Sequence, residues 1–87
     1  MALMKKNRVL VIDGTDFILG VTGYIFEDGK QKEKVVIPRT DDIENYIIQS
    51  LDEYENNFTG IITQGPIPIS RDLLRRIEER NVEFQKR

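Results

Sequence analysis

Two hydrophobic periods share this chain, and the change from one to the other falls near residue 38. Before it, apolar residues come in short β-branched runs. Residues 8–12 read "RVLVI" and stop at "DGTD", where Asp-Gly marks a tight turn. Residues 17–26, "FILGVTGYIF", form a second run in which Gly20 and Gly23 signal a bulge or a close backbone approach. A second Asp-Gly turn, "EDGK", leads to a third run over residues 31–37. Lys30, Lys32 and Lys34 recur there at every second position. Period two places them on one face of a solvated or edge strand, protected from sheet-to-sheet pairing. These runs predict a three-stranded antiparallel meander.

After Pro38 the period lengthens. Thr40 or Asp41 is a suitable N-cap, and Asp41 with Glu44 has capping-box spacing. Ile43, Ile47, Leu51 and Tyr54 repeat at helical intervals, with Tyr46 and Ile48 widening the stripe, and Asn56-Asn57 closes the helix. Phe58 is expected to tuck under its end. A fourth strand follows at residues 60–63. Ser70 caps a second helix with Leu73, Leu74 and Ile77 facing inward, Asn81 stops it, and a short last strand covers residues 82–85. The order of three strands, helix, strand, helix, strand predicts an α+β fold with two helices packed on one sheet.

Length confines this to one domain over residues 1–87, with residues 1–7 expected as a flexible N-terminal segment. A hydrophobic content of 39% beside 32% charged residues describes a globular chain rather than a disordered one. No apolar run is long enough to cross a bilayer, and "MALMKKNR" lacks the apolar core of a signal peptide, so a cytoplasmic location is expected. Lys-rich and Glu-rich composition without Cys suits a heat-tolerant protein.

The chain contains neither Cys nor His, which removes disulfides, thiol nucleophiles, Cys/His zinc sites and an imidazole base. A net charge of −2 gives no overall footprint for nucleic acid. Charge is nevertheless sorted. Residues 41–56 carry six acidic residues and no basic one, while basic residues gather at both ends of the chain.

Three candidate sites can be weighed. The stretch "GIITQGPIPISR" runs from a strand through a glycine into a helix, as phosphate loops do. Pro66 and Pro68, however, remove two of the backbone donors a phosphate cradle needs, and the Lys and Ser/Thr of a P-loop are lacking. A rigid corner is expected, with Ile67 and Ile69 either closing the core or meeting a partner. The second candidate follows from chain direction. If strands one and three run the same way, "DGTD" and "PRTDD" share one end of the sheet, and Asp13, Asp16, Asp41 and Asp42 form an acidic rim. Hard cations such as calcium take oxygen ligands from loops of this kind. Helix capping and turn geometry explain the same residues without a cation. The third candidate is enzymatic. The element order is also that of ribonuclease-H-like domains, which would use Asp13 and a second carboxylate near strand four, but strand four ends in "TQG". "VIDGTDF" resembles the phosphate loop of actin-like ATPases but is one residue short between Asp and Gly-Thr. Ser70 has no base. No catalytic residue is assigned.

Several stretches together resemble one family. "VIDG" at 11–14, "ILGVTG" at 18–23, Pro38, "GIIT" at 60–63, "ISRDLL" at 69–74 and "RNVEF" at 80–84 are similar to the N-terminal β-rich domain of the CRISPR-associated integrase that inserts new spacers. Residues 41–57 form an acidic helix where that family passes from Pro to the next strand, and its catalytic helical domain is absent from these 87 residues. The resemblance implies a scaffold or dimerisation role without nuclease activity. The expectation from sequence is a small non-catalytic binding protein. Its partner is a weakly held divalent cation, another protein or a second copy, with no membrane and no nucleic acid.

Overall fold

The structure, a computed structural model, describes residues 7–15, 20–37, 43–55 and 57–87. Seven elements follow one another: β1 (Arg8–Asp13), β2 (Val21–Glu27), β3 (Lys30–Ile37), α1 (Ile43–Glu53), β4 (Gly60–Gln64), α2 (Arg71–Glu79) and β5 (Glu83–Lys86). The strands form one mixed sheet in the order β3-β2-β1-β4-β5. The meander β1-β2-β3 is antiparallel, while β4 lies parallel to β1 and β5 parallel to β4. Each parallel neighbour is reached through a helix, because a short turn cannot return the chain to run in the same direction.

Both helices pack on one face of the sheet. Leu10, Ile12, Ile25 and Ile61 from the strands join Ile43, Ile47 and Leu51 of α1 and Leu73 and Ile77 of α2 in a single core. Burying each such side chain contributes roughly 1.5–3 kcal/mol before chain entropy is counted. Phe58 is fully buried and meets Tyr54 edge-on with centroids 5.4 Å apart, which closes the C-terminal end of α1. Asn81, at φ 58°, occupies the left-handed position just past α2, as its place in the sequence predicts.

Two strand expectations change. The second strand begins at Val21, and residues 16–19 lie outside the described residues. In β3, Glu33 opposes Ile25 and Gln31 opposes Phe26, so Lys32 is the extra residue of a bulge. A one-residue insertion inverts the alternation. Lys30 is therefore in register with Glu27 on the helix-covered face, and Lys34 with Tyr24 on the opposite face. The three lysines protect an edge strand, as expected, but from both sides. Thr40 and Asp41, the expected caps of α1, lie outside the described residues.

Candidate functional site

Strands β1 and β4 are parallel neighbours at the sheet centre, so their C-terminal ends leave it side by side. Open α/β sheets hold ligands at such a place. Asp13 ends β1, opposite Thr22 of β2 and Gln64 of β4. Its carboxylate oxygen Oδ1 accepts from the Thr15 hydroxyl at 2.6 Å and from the Thr15 N–H at 2.9 Å. These two bonds, the hydroxyl's first, hold the Asp13 carboxyl below the usual carboxylate range, against a smaller desolvation effect. The Gly14 N–H donates to the Gln64 carbonyl at 2.8 Å. Gly65 has φ +84°, and a Cβ there would lie 2.8 Å from the Gly14 carbonyl carbon. The two loops are thus in backbone contact.

That contact decides the nature of the corner "GPIPIS". Ile67 is 1% exposed and fills the space beside Gly14, where a Cβ would fall 2.7 Å from it. Of the two isoleucines, Ile67 closes the core and Ile69 packs at its margin. The Ile67 N–H is spent on the Gly65 carbonyl at 2.9 Å. At the start of α2 the Ser70 hydroxyl accepts from Leu73 N–H at 3.1 Å, and the Ser70 N–H donates to Glu44 at 3.2 Å. Three backbone donors of this corner, those of Ile67, Ser70 and Leu73, are thus engaged within the fold. Asp72 in the first turn lies 2.6 Å from Arg75 and 3.1 Å from Arg76 and offsets the charge of these two one turn further on.

Of the four aspartates in the expected acidic rim, Asp13 is described, whereas Asp16, Asp41 and Asp42 lie outside the described residues. Among the described residues, no three metal-ligating side chains come together. Chain direction is nonetheless as expected. Ile37 pairs with Val21 and Asp13 with Thr22, so β1 and β3 end on the same side of the sheet, two strands or about 10 Å apart. On β4 the neighbour of Asp13 is Gln64, an amide, where a ribonuclease-H-like pair would want a carboxylate.

The face of the sheet turned away from the helices is a second candidate. Pairing registers arrange it in three rows. The first row runs Val36, Thr22, Asp13, Gln64 and is largely polar. The second runs Lys34, Tyr24, Val11, Ile62, Gln85, and the third Gln31, Phe26, Val9, Gly60, Glu83. Val9, Val11, Tyr24, Phe26 and Ile62 make a continuous apolar centre that stays half-buried, and Val36 beside it is 59% exposed. No helix covers this face among the described residues. Tyr24 and Phe26 rings lean together at 6.1 Å, with the Lys34 ammonium 6.0 Å from the Tyr24 ring. Gly60 has no side chain, so the third row sinks into a hollow of about 160 Å³ between Val9, Ile62 and Glu83. The sequence carries a signal for this face. "RVLVI", "GYIF" and "GIIT" are continuous apolar runs rather than alternating ones, the pattern of strands covered on both sides.

No family model matches the chain, and no curated protein does. Among solved structures the chain is similar to a Bacteroides thetaiotaomicron protein described as having an actin-like ATPase fold and unknown function. Identity is 11% and the TM-score 0.64, over 97% of this chain and 34% of that one. The chain therefore has the fold of about a third of that protein's length.

Proposed function

We propose that this chain is a non-catalytic interaction module whose contact surface is the open face of its sheet. One observation carries the proposal: the apolar centre of Val9, Val11, Tyr24, Phe26 and Ile62 has no covering element among the described residues. Parallel strands ordinarily bury both faces, and continuous exposed apolar surface marks a contact with another macromolecule. The scaffold role implied by the integrase resemblance belongs to the same class of function. Photo-crosslinking tests it. A benzophenone side chain at Gln85, on the open face, should give protein adducts in cells. The same group at Arg75, on the helix side, should give few. Equal yields at both positions refute the proposal.

A second reading keeps the cation. Asp13 is held ionised, and β3 ends at Ile37 on the same end of the sheet as Asp13. Calcium titration should move the amide signals of residues 13–16 and 40–42 together, with weak affinity. Shifts scattered over the surface would count against it.

A further inference from the structure

We infer that the open face binds a second copy of this chain, the two sheets stacking about a two-fold axis that runs along β1. The inference rests on the reading of this face as a contact surface and names its occupant. Rotation about such an axis keeps each residue in its row and exchanges the strands on either side of β1. β2 then lies over β4 of the second copy, and β3 over β5. In the third row this sets Phe26 of each copy over Gly60 of the other. The largest side chain of the row enters the hollow of about 160 Å³ that glycine leaves, twice per dimer. In the second row Tyr24 meets Ile62 and Val11 meets its own counterpart, as Val9 does in the third row. Two sheets stacked within about 30° of alignment interdigitate in this way.

Charge favours this axis over one that crosses the strands. An axis across the strands would lay β3 upon itself and set Lys34 of the second row over its own counterpart. The axis along β1 instead lays Lys34 over Gln85, about 7 Å along the strand from Glu83, within reach of a lysine chain. The complementary contact occurs at both rims. Symmetry also imposes a cost, because Asp13 of β1 faces its own counterpart in the first row. Five strands spaced at about 4.8 Å and three rows span a flat footprint of roughly 450 Å² per copy. That is at the small end of specific interfaces, and it suits a dissociation constant on the order of 10 μM.

Sedimentation equilibrium of the full chain, from about 1 μM to about 500 μM, brackets that affinity. A monomer–dimer equilibrium is expected. Gly60→Leu should weaken it about tenfold or more by filling the hollow, since two bulky contacts per dimer are lost. Its fold should persist, because a Cβ at this position meets nothing closer than the Glu83 carbonyl at 3.4 Å. Phe26→Ala should weaken the dimer too, whereas Phe26→Ala combined with Gly60→Leu should recover it, because the new side chain occupies the space the ring has left. Asp13→Asn should tighten it. A monomer at the highest concentration, unchanged association in Gly60→Leu, or no recovery in the double variant would each overturn the inference. If the chain is monomeric while crosslinks from Gln85 join another protein, the dimer fails and the contact surface stands. If those crosslinks fail as well, both are lost.

Discussion

The guanidinium of Arg8 is held on three sides. It lies 2.6 Å from the Glu27 carboxylate, donates to the Asn57 carbonyl at 3.1 Å, and sits 4.4 Å from the centroid of Tyr54. At 7% exposure it is a buried charge at the margin of the core, and it ties β1 to β2 and to the segment after α1. Removing one partner of such a pair leaves a desolvated charge behind. Arg8→Leu should cost about 3 kcal/mol in urea unfolding, and Arg8→Lys less than half of that, because an ammonium keeps the charge but loses the planar fork. In sequence Arg8 is one more basic residue near the N-terminus, since nothing local reveals a partner 19 positions away. Asp13 was legible by contrast, because its turn chemistry is local. Its carboxyl pKa is lowered in the fold, so its contribution to stability is complete above the ordinary carboxylate value and disappears as pH falls through the lowered one. Thr15→Val removes the stronger bond and should raise the Asp13 midpoint in an NMR titration. An unchanged midpoint would show that the hydroxyl has no part in it.

Between elements, one glycine sets how closely α1 approaches the sheet. A Cβ on Gly23 would fall 2.5 Å from the Tyr46 ring, so the helix rests directly on bare β2 backbone. Gly23→Ala should destabilise by about 1–3 kcal/mol through overpacking. In a Tyr46→Leu background the same change should cost clearly less, and equal costs in the two backgrounds would separate the residues energetically. Burial pushes the Tyr46 phenol up, so the folded state favours its neutral form. That stability is present below the ordinary phenol value and is lost as pH rises through the raised one. The sequence announced the glycine as a bulge or a close approach, and the close approach is what the fold uses. The bulge falls instead at Lys32, where a uniformly polar run gives no pattern to betray an extra residue. Helix ends were more readable, because Ser70 and Asn81 act on backbone groups within a few positions of themselves.

At the scale of the whole molecule, the two helices among the described residues both lie on one side of the five strands. The order of elements and the sheet with both helices on one side follow from hydrophobic periods, and the single domain from length, and those were legible. Which face stays open, and that its surface includes a hollow at Gly60, depends on register between strands distant in sequence, as Phe26, Val9 and Gly60 are. A dimer built on that face links stability to concentration, because folded chains associate and unfolded ones do not. Above the dissociation constant, each tenfold rise in concentration adds about 0.7 kcal/mol per chain, half of the 1.4 kcal/mol that a factor of ten represents. For a chain of this size that raises Tm by roughly 3–5 °C. Calorimetry between about 50 μM and about 1 mM spans the required range above an expected dissociation constant on the order of 10 μM. Tm should climb with concentration across the whole range in the wild-type chain, whereas in Gly60→Leu, with a dissociation constant raised to about 100 μM or above, the climb should be smaller and confined to the upper end. A Tm independent of concentration in both would mean that the open face folds and melts alone.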